Sequence, residues 1–305
     1  MPLRKKATNS LIWLGLLAPL ALYGTNIARR PHLDELAPQP LFQGITYSRR
    51  VQQQPRPQIL HIIEIDLAAP GIEPLVTPGA PDTVANNSST TLTQAQKTSE
   101  FVESQGVQLA VNGNFFYPFR EVTPWNFYPH SGNRVNSVGI AVSDGNLVSE
   151  QLKKWPSLCF RSDWAEIRAD GTCKDGLQAV AGKTLMLSNG KPTEDVKQQI
   201  AEKTPKPYPF NIAALDATGT RLWLILADGK QPLYAEGITL EESVELLQEL
   251  KVDTALRLDG GGSTTVAMAT DTGARILNIP IHTKIPGRQR PVANNLGFFA
   301  NPLTP

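Results

Sequence analysis

The sequence is poor in the side chains that most often bind metal ions. Its 305 residues include only two cysteines and four histidines, and the histidines are scattered along the chain. A zinc site needs several such ligands at short spacing, and none of the histidines has that spacing. The composition therefore predicts no metal and no other cofactor. The histidines are His32, His61, His130 and His282.

The chain also lacks an excess of charge of either sign. Lysine and arginine number 29 against 28 acidic residues, which gives a net charge of +1. This balance gives no reason to expect nucleic acid or an anionic membrane surface as the main partner. Hydrophobic residues make up 41% of the chain and charged residues 19%, so a large core is expected and extensive disorder is not. The 25 prolines favour loops and turns over a helical bundle.

A single long apolar run lies near the amino terminus. Arg4, Lys5 and Lys6 precede an apolar stretch over residues 11–23, which weakens toward Ile27 and ends before Arg29 and Arg30. A basic flank before an apolar run is typical of a secretory signal or a membrane anchor. Because no convincing cleavage site follows, we expect an uncleaved anchor rather than a cleaved signal, with a buried helix as a third alternative. Either of the first two places the rest of the chain outside the cytoplasm.

Cys159 and Cys173 are close together in the sequence CFRSDWAEIRADGTC. In an oxidising compartment such a pair is expected to form a disulfide that closes a short loop. In a reducing compartment both would remain free thiols. No histidine or further cysteine lies near them, which disfavours a metal site.

Periodicity and turn signals predict a single mixed, β-rich α+β domain with a few packing helices. Two helices are predicted: Thr93–Gln105, with Thr93 and Gln96 as a capping box, and a second that begins with Thr239 and Glu242 as a capping box. Hairpins are predicted around Asp144-Gly145 and around Thr218-Gly219. Strands are predicted over residues 43–51, 59–67, 108–113 and 254–260, and within 137–149 and 211–229.

Three consecutive glycines follow the last of these strands in RLDGGGSTT. Asp259 ends the strand, Gly260, Gly261 and Gly262 follow, and Ser263 and Thr264 come next. A glycine run lets successive N–H groups converge on an anion, and hydroxyl groups add directional hydrogen bonds. Neither G-x-x-x-x-G-K-[ST] nor G-x-G-x-x-G is present, which excludes a P-loop and the dinucleotide-binding pattern. The alternative is a tight turn in which the glycines only relieve crowding.

Three further polar groups lie next to predicted strands or in loops. Asn112, Gly113 and Asn114 precede aromatic residues, a combination that suits either a sugar or an Asx turn. Asp228 ends another apolar strand in LADG. Arg288 and Arg290 could bind a phosphate or could belong to a solvated basic loop.

NGNFF, LADG with GITLEE, LDGGGSTT and RPVANN occur in the same order as the signature elements of the phosphodiester glycosidase family, which residues 59–300 resemble. The resemblance implies a hydrolase that cleaves the bond between an anomeric sugar carbon and a phosphodiester oxygen. With the apolar run and the Pro- and Gln-rich segment after it, the expected organisation is an anchor or signal at 1–30, a tether and first strand at 31–58 and a catalytic domain at 59–305. The stretch PYPFNIAAL departs from the family, since Pro209-Phe210-Asn211 stands where relatives commonly have an Arg-Thr pair.

These observations give Asp259 and Asp228 as candidate catalytic carboxylates, because the reaction develops positive charge at the anomeric carbon. Donors that stabilise the leaving phosphate can replace much of the acid catalysis. The expected phosphate ligands are Gly260–Ser263 and Arg290, with Thr264 beside them, and Asn112, Gly113 and Asn114 are expected at the sugar. The expected partners are a sugar-phosphate or glycan substrate and the membrane. The alternatives are a non-catalytic envelope protein that binds glycan and a metal-dependent phosphodiesterase.

Overall fold

The computed structural model describes residues 27–80, 92–152, 155–202 and 206–303, together with residues 21, 24 and 25. From residue 36 onward these residues form a β-rich domain with three α-helices, which confirms the predicted α+β class. The helices are α1 (Thr98–Gln105), α2 (Glu194–Glu202) and α3 (Leu240–Glu249). The strands are β1 (Leu36–Phe42), β2 (Ile45–Gln52), β3 (Gln58–Asp66), β4 (Glu73–Val76), β5 (Thr93–Gln94), β6 (Leu109–Asn112), β7 (Phe116–Tyr117), β8 (Arg120–Glu121), β9 (Phe127–Tyr128), β10 (Arg134–Ser137), β11 (Ala141–Ser143), β12 (Asn146–Ser149), β13 (Ser157–Phe160), β14 (Ala165–Arg168), β15 (Gln178–Ala181), β16 (Thr184–Ser188), β17 (Lys191–Pro192), β18 (Asn211–Leu215), β19 (Arg221–Ala227), β20 (Thr254–Arg257), β21 (Val266–Thr270), β22 (Gly273–Ile276) and β23 (Asn295–Phe299).

An antiparallel sheet of eight strands forms the centre of the domain, in the order β1-β2-β3-β19-β18-β20-β16-β17. Two five-stranded sheets accompany it, ordered β22-β21-β6-β23-β4 and β12-β11-β15-β13-β14. The small sheets β5-β10-β7 and β8-β9 are formed by the segment between β6 and β11, together with β5, which precedes α1. The central sheet and the sheet β22-β21-β6-β23-β4 therefore combine strands that are remote in sequence.

The central sheet is buried on both faces. Along β19, Leu222, Leu224 and Leu226 contribute to one core cluster, whereas Trp223 and Ile225 contribute to another. Successive strand side chains point to opposite faces, so this alternation assigns one cluster to each face. The first cluster includes residues of the five-stranded sheets, and the second includes residues of α2 and α3.

Local sequence signals correctly predicted the hairpins and the α3 helix. Asp144 and Gly145 both have positive φ, as a tight hairpin turn requires. At the start of α3, the backbone N–H of Glu242 donates to Thr239 Oγ1 over 3.1 Å. The carboxylate of Glu242 in turn accepts from the N–H of Thr239 at 2.8 Å, which completes the predicted capping box.

The predicted helix over residues 93–105 begins too early, and its proposed capping box is wrong. Thr93 belongs to β5, and Gln96 forms a backbone bridge with Val292. The helix α1 starts at Thr98, where the N–H of Lys97 donates to the Glu100 carboxylate over 2.9 Å. Pairing with distant strands therefore uses the backbone groups that the predicted first turn would have needed.

Most of the predicted membrane segment lies outside the described residues. Among those that the structure does describe, no helix has the length and apolar character needed to cross a bilayer. Strands β1 and β2 extend the same sheet as β3, so paired strands lie on both sides of the predicted boundary at residue 59. The anchor remains a prediction.

Cys159 and Cys173 form a disulfide, which confirms the predicted pairing. Their Cα atoms are 5.5 Å apart, and the bridge joins β13 to the loop that follows β14. The Cβ of an alanine at Gly176 would lie 2.2 Å from the Cys173 sulfur, so the loop closes tightly over the bridge.

Candidate active site

The predicted site residues lie where strands of two sheets end close together. Asn112 is the last residue of β6, and Asp259 follows β20 by two residues. The side-chain amide of Asn112 donates to the backbone carbonyl of Asp259 over 2.7 Å, and the N–H of Asp259 donates to the carbonyl of Gly113 over 3.1 Å. These bonds bring two segments that are far apart in sequence to one place.

Each glycine of the run has its own steric requirement. The Cβ of an alanine at Gly260 would lie 2.6 Å from the carbonyl oxygen of Pro209, and one at Gly262 would lie 2.6 Å from Nη2 of Arg290. Gly261 has a φ of +65°, and a Cβ there would lie 2.7 Å from the hydroxyl of Tyr208. Because the glycines have no side chains, the backbone of the run can lie against the carbonyl of Pro209, the hydroxyl of Tyr208 and the guanidinium of Arg290.

The predicted cradle of converging amides needs correction. The N–H of Gly261 donates to the carbonyl of Pro209, that of Ser263 to Gly260 and that of Thr264 to Gly261. These bonds close a short 3₁₀ turn over Gly261–Ser263, so three of the expected anion donors are already used within the protein. The glycines allow the side chains of Tyr208 and Arg290 to lie close to this turn. The sequence alone does not indicate these two contacts.

Asp259 is a buried carboxyl group, with only 7% of the residue exposed. Burial raises the pKa of Asp259 from its ordinary value of 3.8 to about 6, because an ionised carboxylate loses its hydration there. A hydrogen bond from Ser263 and the positive charges of Arg290 and Arg257 oppose this rise in pKa. The group can therefore exchange a proton near neutral pH.

Arg290 lies next to the glycine run, as predicted, and is held by three partners. Its Nη1 donates to Ser263 Oγ over 3.0 Å, its Nε donates to His282 Nδ1 over 3.2 Å, and its Nη2 donates to Glu121 Oε2 over 2.5 Å. Ser263 thus accepts from Arg290 and also lowers the pKa of Asp259. A guanidinium carries five N–H donors, so two remain for a ligand.

His282 is a neutral neighbour of this arginine. Burial, together with the charges of Arg290, Arg288 and His130, lowers the pKa of His282 to about 3. A neutral imidazole can accept the hydrogen bond from Arg290 at Nδ1. His282 therefore fixes the orientation of the guanidinium without adding charge.

Asp228 is fully engaged by the protein, which favours a bracing role over the predicted catalytic one. Its Oδ2 lies 3.1 Å from Nε2 of the buried His61, and its Oδ1 accepts from Asn278 over 2.9 Å and from the N–H of Ile279 over 3.0 Å. His61 Nδ1 is in turn 2.8 Å from the hydroxyl of Tyr47. Asn278 also donates to the carbonyl of Thr264, so this network supports the turn after the glycines.

The side-chain amides of Asn112 and Asn114 are also occupied. Asn112 Oδ1 accepts from Asn211 and from the N–H of Thr265, in addition to the bond that its Nδ2 gives to Asp259. Asn114 donates to the carbonyls of Val138 and Ile140 and accepts from the N–H of Ala181 and from Asn294. The geometry favours support of the site over the predicted contact with sugar.

Gly113 and Thr264 complete the predicted set. A Cβ at Gly113 would lie 2.6 Å from Oδ1 of Asn294, which makes Gly113 a position of close packing. The hydroxyl oxygens of Thr264 and Thr265 are buried and have no hydrogen-bond partner within the described part of the chain. The hydroxyl group of Thr264, beside the turn, therefore forms no hydrogen bond with the described part of the protein.

An aromatic loop borders Arg290. The ring of Phe119 lies under the guanidinium, with the arginine carbon 4.5 Å from the ring centroid. Tyr117, Phe119 and Trp125 are between 45% and 70% exposed. Arg288 Nη1 donates to the carbonyl of Pro124 over 2.5 Å, which fastens the loop to the same segment as Arg290. Exposed aromatic faces next to a cation suit a ligand with an apolar ring face and a negative group.

Sequence reasoning missed the residues that complete the cluster. Glu121 is a second carboxylate, but its only sequence signal is a position within a polar aromatic loop. In the sequence His282 is one of four scattered histidines, and no motif marks Tyr208 or Arg257. Among the residues that the structure describes, no three His, Cys, Asp or Glu side chains are grouped as they would be around a metal ion.

Solved structures that are similar to this chain include a bacterial protein and an animal enzyme domain. A hypothetical protein from Synechocystis matches 90% of it with a TM-score of 0.60 and 13% identity, and the chain spans 65% of that protein. The catalytic domain of zebrafish N-acetylglucosamine-1-phosphodiester α-N-acetylglucosaminidase, auto-inhibited by its pro-peptide, matches 85% of it with a TM-score of 0.56 and 19% identity, and 83% of that domain is covered. At these identities the likeness establishes the fold.

Comparison with curated protein sequences finds no match. The sequence model of the phosphodiester glycosidase family matches residues 105–299, which is more than half of the chain and includes Glu121, Asp259, Ser263, His282 and Arg290. The chain therefore belongs to the phosphodiester glycosidase family.

Proposed function

We propose that this protein hydrolyses the glycosidic bond of a sugar-1-phosphodiester. The observation that carries the proposal is Asp259, a buried carboxyl group whose pKa is raised to about 6 beside two guanidinium groups. Carboxyl groups with raised pKa values are typical of glycosidase sites, and cations are typical of sites that bind phosphate. Family membership supports the same reaction.

In the proposed reaction, water attacks the anomeric carbon as the bond from that carbon to the phosphate oxygen breaks. Asp259, as the carboxylate, accepts the proton that water loses, and the bonding electrons leave with the phosphate oxygen. The products are a free sugar and a phosphomonoester. A carboxylate next to the anomeric carbon also stabilises the positive charge that develops there.

Arg290 is proposed to stabilise the leaving phosphate. Three of its N–H groups hold Ser263, His282 and Glu121, which fixes the plane of the guanidinium. Donors that are already oriented need not reorganise as charge develops, and each is worth on the order of 100-fold in rate. Different groups therefore stabilise the positive charge that develops at the anomeric carbon and the negative charge that develops on the phosphate.

The aromatic loop is proposed to bind the glycan part of the substrate. Tyr117, Phe119 and Trp125 present exposed rings beside Arg290. A sugar ring packs against such faces through its C–H groups while its hydroxyls stay hydrated. The zebrafish enzyme is named for an N-acetylglucosamine-1-phosphodiester, which makes that sugar the first substrate to test.

A protein that binds glycan without turnover is the second candidate. It is favoured by the stretch Pro209-Phe210-Asn211, which has no arginine where relatives commonly carry an Arg-Thr pair. Asn211 is buried and donates to the carbonyl of Asn112 over 2.7 Å, so it supports the turn and does not replace a missing cation. The exposed rings would serve binding equally well.

We also propose an envelope location, with the domain outside the cytoplasm and the apolar run of residues 11–23 as a membrane anchor. The disulfide is consistent with an oxidising compartment.

Incubation with the methyl phosphodiester of α-N-acetylglucosamine 1-phosphate in ¹⁸O-labelled water tests the function. We expect the label on the anomeric oxygen of the sugar, because the glycosidic bond is cut. Label on phosphate would instead mark a phosphodiesterase.

Asp259→Asn should lower the rate about 100-fold or more, whereas Asp216→Asn, in a remote turn, should leave it near normal. Saturable binding without turnover of this or related diesters would favour the second candidate.

A further inference from the structure

Arg257 carries a guanidinium that the protein leaves without an acceptor. It is the last residue of β20, two positions before Asp259, and is only partly exposed. Its Nε is buried and has no hydrogen-bond partner in the described part of the chain. Across the same described residues, no carboxylate forms an ion pair with it. Buried cations are normally paired, so this position needs an explanation.

The side chain lies on an aromatic support. The arginine carbon of the Arg257 guanidinium is 4.2 Å from the centroid of the Phe210 ring, and Phe210 packs edge-on against Tyr208 at 6.4 Å. A ring face attracts a cation and orients its plane, but it satisfies none of the N–H donors. The donors of Arg257 therefore stay available in a fixed orientation.

Arg257 belongs to the same electrostatic environment as the catalytic carboxyl. Burial lowers the pKa of Arg257, and the nearby Tyr208 and Asp259 partly offset that effect. Tyr208 also lies against Gly261, since a Cβ at that glycine would meet its hydroxyl at 2.7 Å. Arg257, Tyr208, Asp259 and the glycine turn are thus neighbours.

We propose that Arg257 binds the phosphate of the substrate, so that the cation absent from residues 209–211 is supplied by β20 instead. This inference rests on the proposed function for its substrate. Phe210, which lies in the stretch 209–211 that lacks the relatives' arginine, is the ring on which the Arg257 guanidinium stacks. A planar guanidinium in that orientation can donate two parallel hydrogen bonds to phosphate oxygens.

The test compares two variants of Arg257. Arg257→Met keeps the length of the side chain but removes its charge, whereas Arg257→Lys keeps the charge but cannot donate two parallel hydrogen bonds. Arg221→Met is the matched control, because Arg221 also stacks on a ring, that of Trp223 at 5.8 Å, but pairs with Glu64 away from the site. The full-length protein is titrated with inorganic phosphate by calorimetry. Its kcat/KM on the sugar phosphodiester and its melting temperature are measured on the same preparations.

Arg257→Met should weaken phosphate binding and lower kcat/KM by at least about tenfold, with an intermediate loss for Arg257→Lys and none for Arg221→Met. Unchanged phosphate affinity in a folded Arg257→Met protein would overturn the inference, as would a wild-type protein that does not bind phosphate. If Arg257→Met does not fold, Arg257→Lys decides, and wild-type affinity there would overturn it. Phosphate binding that depends on Arg257 in a protein without turnover would support the anion site and remove the glycosidase function.

Discussion

Asp259 occupies a position that works against the stability of the fold. Its pKa of about 6 exceeds the ordinary value of 3.8, so the folded protein binds this proton more tightly than the unfolded chain does. Stability from this group is therefore complete below about pH 4 and is lost as the pH rises through about 6. A shift of two pKa units corresponds to about 3 kcal/mol at neutral pH. The site keeps a carboxylate where a neutral side chain would be more stable.

Asp259→Asn should therefore raise the free energy of unfolding above pH 6, by up to about 3 kcal/mol, and leave it unchanged near pH 4. Urea unfolding at both pH values measures the effect. Asp216→Asn is the control of opposite sign. Hydrogen bonds from Thr218 and from the N–H of Arg221 lower the pKa of Asp216, so this substitution should destabilise the protein at neutral pH. Equal stability changes for both variants at neutral pH would contradict the account of Asp259.

The pH dependence of activity follows from the same carboxyl group. If Asp259 acts as the carboxylate, kcat/KM should rise with pH and level off above an apparent pKa of about 6. His282 should contribute no limb near neutrality, because its pKa is lowered to about 3. Initial rates between pH 4 and 9 with a single substrate check this. A profile that falls through pH 6 would mean that Asp259 acts as an acid instead.

At the scale of secondary-structure elements, the sequence predicts helix caps and turns that depend only on neighbouring residues. The capping box at Thr239 and the turn at Asp144-Gly145 are local features, and both were predicted correctly. The start of α1 was not, because Val292 pairs with Gln96 from nearly two hundred residues away. Such pairing cannot be inferred from a local pattern.

The same limit applies to the site. Asp259 and Arg290 were identified because each lies in a motif, and the structure brings both to the glycine turn. Glu121 joins them only because the aromatic loop folds back onto Arg290. The occupied amides of Asn112 and Asn114 show the converse case, in which a correct location does not fix a role. Proximity depends on topology, and hydrogen-bond satisfaction depends on atoms that a sequence does not position.

The glycine turn offers a comparison that separates backbone strain from side-chain crowding. Gly261 and Gly145 both have positive φ, but only Gly261 has a neighbour where a Cβ would lie, the hydroxyl of Tyr208 at 2.7 Å. Gly145→Ala should cost about 1 kcal/mol of stability from strain alone. Gly261→Ala should cost more, because Tyr208 must also move. Thermal unfolding of both variants measures the difference. Equal losses of stability would show that Tyr208 can move aside without a cost in free energy.

At the scale of the whole molecule, the amino-terminal residues are joined to the domain. Tyr234 donates its hydroxyl hydrogen to the carbonyl of Pro31 over 2.5 Å, and Arg30 lies 5.2 Å from the centroid of the Tyr234 ring. Arg49 Nε donates to the carbonyl of Asp34 over 2.7 Å. The segment that was predicted to be a tether therefore contacts the domain soon after the apolar run. An anchored protein would hold its domain close to the membrane surface.

The disulfide connects fold and location. Cys159 and Cys173 are 14 residues apart, and closing such a loop restricts the unfolded chain by about 3 kcal/mol in the chain-entropy model. We expect no free thiol in protein isolated from its native compartment and a stability loss of about that size for the Cys159→Ser, Cys173→Ser double variant. Thiol labelling under denaturing conditions and urea unfolding measure the two. Stoichiometric labelling of both cysteines would argue against an exported protein.

The membrane anchor is tested most directly in cells that make the full chain. An apolar run that ends at Arg29 and Arg30 should hold the protein in the membrane fraction through alkaline carbonate extraction and release it with detergent. Leu16→Arg introduces a charge into that run and should move much of the protein out of the membrane fraction, since a central arginine costs about 2.5–3.5 kcal/mol of insertion free energy. Gln53→Arg adds the same charge at an exposed position of the domain and should change nothing. Soluble wild-type protein whose amino terminus begins beyond Ala28 would instead identify the run as a cleaved signal.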